Sequence, residues 1–216
     1  MPESISDSYL DLNKALHSDS NFGSRANCGG LATKLHIALL RLHEKGVCDS
    51  FIDYGCGKGN LVMNLRNIIS SNITIDGYDP AIDQFNQKPT KSYDFLSCFD
   101  VLEHIEDKYI DNVLDHIRSL AKGIAYIAVD LQPAVKKLEN GRNAHILLAP
   151  PDWWTTKIAQ YFSSQISFPI KHSLGFNQKI VFFCSNNIDL FEDMLFVCKK
   201  LKAYNISMMG GLSKPK

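Results

Sequence analysis

Residues 51–60 read FIDYGCGKGN: a short apolar run, an aspartate, and then glycine at every second position, Gly55, Gly57 and Gly59. Phe51 and Ile52 suit the end of a buried strand. The glycines after them break both strand and helix and allow a turn whose surface is backbone rather than side chain. Beyond the turn, NLVMNLRNII (60–69) places Leu61, Leu65 and Ile68/Ile69 at helical spacing. The local reading is strand, tight turn, helix. In an open parallel sheet such a turn presents backbone N–H groups to a ligand at the carboxyl end of the strand.

The flanking pattern extends this unit into a sheet. Leu31, Leu35, Ala38, Leu39 and Leu42 recur at helical spacing, and Gly46 stands where that helix would stop. Downstream, NITIDGYD (72–79), DFLSCF (94–99) and GIAYIAVD (123–130) read as strands, with Tyr109, Val113, Leu114, Ile117 and Leu120 forming a helix between the last two. Strands alternating with helices predict a Rossmann-like α/β fold, a mostly parallel sheet with helices on both faces. The pattern then changes. A helix is expected from Asp152, QISFPIKH (165–172) and QKIVFFCS (178–185) predict an antiparallel ribbon at the sheet edge, and a helix from Ile188 leads to a basic end.

Composition narrows the function. The 216 residues are 45% hydrophobic and 21% charged, with Lys+Arg and Asp+Glu both 23, so no net charge marks a nucleic-acid or membrane-surface binder. No run suits a signal peptide or a membrane span, and a cytoplasmic location with no membrane partner is expected. Six cysteines, Cys28, Cys48, Cys56, Cys98, Cys184 and Cys198, form no C-x-x-C pair and read as reduced thiols.

The turn is neither a Walker loop nor G-x-G-x-x-G, because Asn60 takes the last position and no Lys-Ser/Thr follows. Asp79 ends the next strand about twenty residues on, where a carboxylate can accept both hydroxyls of an adenosine ribose. The expected ligand is an adenosine without a pyrophosphate.

DYGCGKGN (53–60), GYDP (77–80) and DFLSCFDVLEHI (94–105), in this order and spacing, resemble the motifs of the class I S-adenosylmethionine-dependent methyltransferases, in the subgroup that includes ubiquinone-biosynthesis O-methyltransferases. The resemblance covers residues 51 to about 130 and implies S-adenosylmethionine as cofactor. It places Asp53, Tyr54, Gly55, Cys56 and Gly57 against the methionine part, Asp79 and Pro80 at the ribose, and Phe99, Asp100 and Val101 at the reactive end. On this reading 1–216 is one methyltransferase domain: an N-terminal helical cap (1–46), a cofactor-binding core (47–130), and an acceptor-side segment with the edge strands (131–216). The chain departs from the family between Asp79 and Asp94, where residues 80–93 leave no room for the usual helix, strand and helix. The third strand is expected to be missing, and with it the residue that contacts adenine; Gln84 and Phe85 either cover the base or form an apolar plug with a solvated neighbour.

The sulfonium carries an activated methyl, so the protein must hold a nucleophile in line and take or weaken its proton. Asp100, Glu103 and His104 share one face if their segment is helical. In members of the resembled subgroup, among them small-RNA 2′-O-methyltransferases, a comparable pattern with a distant histidine holds a divalent ion. Here that histidine is His145, making Asp100, Glu103, His104 and His145 the candidate metal ligands. The plain alternative is that Glu103 and His104 buttress the cofactor loop. Without a metal, His145 is the general base, with Asp100 and His104 as the other candidate catalytic groups. Arg142 is either an acceptor anchor or a solvated turn residue, and one of Trp153 and Trp154 is expected to border the acceptor pocket or an interface. The segment NFGSRANCGG (21–30) is a candidate arm over the cofactor. The expected activity is O-methylation of a small molecule or sugar. A metal-dependent RNA 2′-O-methyltransferase and a non-catalytic cofactor-binding scaffold are the alternatives.

Overall fold

The computed structural model describes residues 3–18, 22–23, 28–70, 72–172 and 174–209, with the backbone alone for 28–30 and 202–209. Six strands form one sheet in the order β2 (Thr74–Tyr78), β1 (Ser50–Tyr54), β3 (Tyr93–Phe99), β4 (Ala121–Asp130), β6 (Asn177–Ser185), β5 (Ser164–Lys171). The first four are parallel; β6 runs antiparallel to β4 and β5 antiparallel to β6. The helices are α1 (Asp7–Ser18), α2 (Cys28–Glu44), α3 (Asn60–Ile68), α4 (Ile110–Leu120), α5 (Pro151–Ala159) and α6 (Phe191–Met209).

Period-two alternation distributes the strands between two cores. Phe51, Phe95, Tyr126, Val181 and Phe183 pack against α2, α3 and α6, while Ile52, Leu96, Ile127 and Phe182 pack against α4 and α5. Both faces of the central strands are therefore dry, which is why those strands read as continuous apolar runs. Each fully buried Leu, Ile or Phe contributes roughly 1.5–3 kcal/mol. Leu35, Leu39, Leu42, Leu61 and Leu65, the stripes that marked α2 and α3 in the sequence, are all in this class.

The third strand is missing. Between β2 and β3 the chain makes only a 3₁₀ turn, Asp83–Phe85, so β2 is left at the edge of the sheet. The connection folds back on itself: Asp79 N–H donates to Phe85 C=O (3.0 Å) and Phe85 N–H to Ile82 C=O (2.8 Å). Phe85 is buried against Gly59, where a Cβ would lie 2.4 Å from its ring. It is the apolar plug, and Gln84 beside it is exposed.

Trp154 is fully buried and Trp153 half-buried, their rings 4.9 Å apart against the α4/α5 core. Neither lines the cavity described below, and of the two places expected for one of them, pocket or interface, only the interface is left to the half-buried Trp153. Of the segment 21–30, only Phe22, Gly23 and the backbone of 28–30 are described, and the basic end at 210–216 lies outside the described residues. The five described cysteines are free and buried.

Candidate active site

The glycine turn is held by the strand beside it. Gly55 and Cys56 N–H donate to Tyr78 C=O (2.7 and 3.0 Å), and Gly57 N–H donates to Asp79 Oδ2 (2.9 Å). Asp79 Oδ1 accepts from Ala81 N–H (2.9 Å), so the carboxylate that ends β2 clamps two backbone segments at once. Gly55 and Gly57 have positive φ, 72° and 54°. A Cβ on Gly55 would lie 2.2 Å from Val101 Cγ2, and one on Gly57 2.5 Å from Gly23 C=O. Only glycine admits both the backbone conformation and these neighbours.

A cavity of about 570 Å³ opens over this turn. Of the residues assigned to the cofactor, Tyr54, Gly55, Cys56, Gly57, Asp79, Pro80, Phe99, Asp100 and Val101 line it. Asp53 lies behind the turn, fully buried, its Oδ1 accepting from Ser97 Oγ (2.7 Å). Gln84, Phe85 and Arg142 are not among the lining residues; from the β2–β3 connection only Pro80 and Ala81 reach the cavity. Arg142 is exposed in the turn between Lys137 and Asn143.

On the wall of the same cavity the loop after β3 and the segment after β4 meet. Glu103 is fully buried; Oε1 accepts from Asp130 N–H (2.9 Å), and Oε2 has no partner among the described residues. Burial, and then the nearby Asp100 carboxylate, push its pKa well above the ordinary glutamate range. His104 Nδ1 is also buried without a partner. Burial, reinforced by His145, lowers its pKa to about 4. The two imidazoles pack edge to face with centroids 4.7 Å apart. His145 Nδ1 lies 2.5 Å from Gln132 C=O, which fixes Nδ1 as the protonated nitrogen and leaves the lone pair on Nε2. One ligand atom from each of Glu103, His104 and His145 lies within 4.8 Å of the other two.

Asp100 is not part of that cluster. It has a left-handed backbone, φ 56°, and its Oδ1 accepts from Lys179 Nζ at 2.5 Å. Lys179, on β6 opposite Asp130, also lies 3.7 Å from Asp130 Oδ2 and lines the cavity. No motif marks Lys179, whose place follows from the β4/β6 register. None marks α1 either, which lays Tyr9, Asn13 and His17, one face at i, i+4 and i+8, along the cavity wall. Ser6 fastens this helix by donating through its N–H and Oγ to the Glu106 carboxylate (2.9 and 3.0 Å).

Comparison with known proteins agrees with this architecture. A methyltransferase-domain family matches residues 25–168. Among solved structures, 1,6-didemethyltoxoflavin-N1-methyltransferase from Burkholderia thailandensis, with bound 1,6-didemethyltoxoflavin and S-adenosylhomocysteine, superposes with a TM-score of 0.53 at 12% identity, covering 85% of this chain and 91% of that one. An amino pentose methyltransferase of calicheamicin biosynthesis from Micromonospora echinaspora, with S-adenosylmethionine bound, gives 0.51 at 8% identity, covering 79% and 97%. At these identities the likeness is one of fold. A search of the curated proteins gives no match.

Proposed function

The chain belongs to the methyltransferase-domain family and is a class I S-adenosylmethionine-dependent methyltransferase; from that premise we propose that it methylates an oxygen of a small molecule or sugar. The observation that carries this reading is one cavity lined both by the glycine turn with Asp79 and by His104 and His145, the two imidazoles that cluster with Glu103. The cofactor, when bound, supplies a methyl group already activated by the sulfonium charge.

The chain's own residues divide the remaining work. Backbone of Tyr54 to Gly57 accommodates the methionine part. Asp79 accepts the ribose hydroxyls on the lone pairs that its two backbone bonds leave over. Phe99, Asp100 and Val101 border the reactive end, and Lys179 keeps the Asp100 carboxylate neutralised there. His145 Nε2 takes the proton from the acceptor hydroxyl, and its bond to Gln132 holds the ring in the tautomer that can do so. His104, neutral at physiological pH, packs on that ring and fixes its angle.

The same cluster favours a second reading in which a divalent ion assists, including 2′-O-methylation of RNA. The residues fit one: a buried carboxylate oxygen and a buried imidazole nitrogen lack partners, and His145 is oriented through its other nitrogen. Glu103, His104 and His145 would hold it, and it would acidify an acceptor hydroxyl. Asp100, also expected as a ligand, is drawn to Lys179. The zero net charge counts against RNA, which would need a local basic patch.

The test is calorimetric titration of S-adenosylhomocysteine with and without Mg²⁺, Mn²⁺ or Zn²⁺, followed by transfer of labelled methyl into cell extract separated into RNA and small-molecule fractions. Label in small molecules supports the first reading. Label in RNA, only with metal, replaces it by the second, and binding without any label leaves a cofactor-holding scaffold.

A further inference from the structure

S-Adenosylmethionine ends in a carboxylate, and an anion in a cavity needs a donor. Among the described lining residues, the side chains that are cationic or can become so are His17, His104, His145 and Lys179. Three of these are accounted for within the protein. Lys179 is matched by Asp100 and Asp130, His145 is bonded through Nδ1 to Gln132 C=O, and His104 packs edge to face on His145 in the cluster with Glu103. His17 lies against the glycine turn.

Its placement there is fixed by several contacts. His17 projects from the last turn of α1, its ring 4.9 Å from that of Phe22. A Cβ on Gly23 would lie 2.5 Å from its Nδ1 and 3.5 Å from Gly57 Cα, so imidazole and glycine turn flank the same backbone. Gly23 C=O accepts from Lys58 N–H (3.1 Å), docking this piece of chain on the turn. Among the described residues the buried Nδ1 has no partner and Nε2 makes no hydrogen bond. Beside backbone that must lie against the methionine part, the chain has placed a histidine with an unused donor.

We propose that His17 binds the α-carboxylate of the cofactor, so that α1 is a working wall of the cofactor site and not only its cover. The inference rests on the cofactor reading above and extends it to a residue outside the motifs that carry the family resemblance. It explains why Ser6 and Glu106 anchor the far end of a helix that contributes so little to either main core.

The test compares two ligands that differ at the methionine end. S-Adenosylhomocysteine carries the carboxylate; 5′-methylthioadenosine keeps the adenosine and the sulfur but lacks it. Calorimetry on the full-length protein and on His17→Ala should show S-adenosylhomocysteine binding weakened by about tenfold or more, the range for losing a bond to a charged group. 5′-Methylthioadenosine should bind both proteins within about twofold, which also shows that the variant is folded. His17→Gln, which keeps a donor, should recover part of the loss. Equal weakening of both ligands, or of neither, overturns the proposal. Failure of the wild-type protein to bind S-adenosylhomocysteine would instead remove the cofactor reading on which it stands.

Discussion

Asp79→Ala separates binding from chemistry. The carboxylate is nearly inaccessible and accepts one backbone N–H on each oxygen, from Gly57 and Ala81, both at 2.9 Å. Hydrogen bonds to a charged group contribute roughly 1.5–3 kcal/mol each. The cavity beside them lets water replace part of that, so a stability loss of about 2–4 kcal/mol is expected. For a chain of this length that is a fall of roughly 4–16 °C in Tm. The ribose hydroxyls lose their acceptor in the same step. Two such bonds together are expected to raise the Kd for S-adenosylhomocysteine about 100-fold, or about 2.7 kcal/mol. Differential scanning calorimetry reads the first effect, and isothermal titration well below the new Tm the second. At saturating S-adenosylmethionine, kcat should stay within about threefold of wild type, because Asp79 is not part of the Glu103, His104, His145 cluster. A variant that binds the cofactor normally but turns over slowly would refute the ribose assignment.

His145→Ala should lower kcat by about 10²–10⁴-fold, as for loss of a general base, with S-adenosylhomocysteine affinity unchanged; unaltered turnover removes His145 from the mechanism. His104 makes stability pH-dependent in metal-free protein. Its folded pKa of about 4 lies below the ordinary 6.5, so the unfolded chain binds the extra proton first. Stability therefore falls as pH drops from about 6.5 to about 4, by roughly 3 kcal/mol. Glu103, whose raised pKa acts in the opposite direction, is present in both wild type and His104→Asn, so the difference between their urea midpoints across that window isolates the histidine. Gly57→Ala should cost at least about 1–2 kcal/mol for the left-handed conformation alone, and its Cβ pushes against Gly23, so cofactor binding should fall with stability. A fully active, equally stable variant would show that the turn is not packed as described.

The parts of the fold that were legible in the sequence are those set by local periodicity. Leu35, Leu39 and Leu42 defined α2, alternation in Phe51 and Ile52 split β1 between two cores, and the shortness of residues 80–93 excluded the third strand. Glycine at 55 and 57 was legible because positive φ leaves few other residues. Helix α1 was not, since Tyr9, Leu12 and Leu16 make too thin a stripe and its packing is against a loop, residues 134–146, and not against the sheet. Gln84 and Phe85 were ambiguous for a similar reason: a plug and a ligand platform have the same composition, and only Gly59 across the turn decides between them.

The candidate site divides along the same line. Asp79 and the Glu103-His104 pair sit in sequence next to the strand ends that position them, so a short motif contains their geometry. Lys179 and His17 do not. The first faces Asp100 because β6 reverses against β4 and sets Lys179 opposite Asp130; a shift of one residue in that ribbon would turn it to the other face. The second reaches the glycine turn only because α1 is fastened across a separation of 100 residues by Ser6 and Glu106. Both are products of long-range register, and a polar group that ends up in a dry cavity by such a route must be matched by the rest of the structure or by a ligand. Lys179 is matched within the protein by two carboxylates. His17 makes no hydrogen bond among the described residues in a cavity built for an adenosyl amino acid, and the cofactor's carboxylate is the partner that fits it.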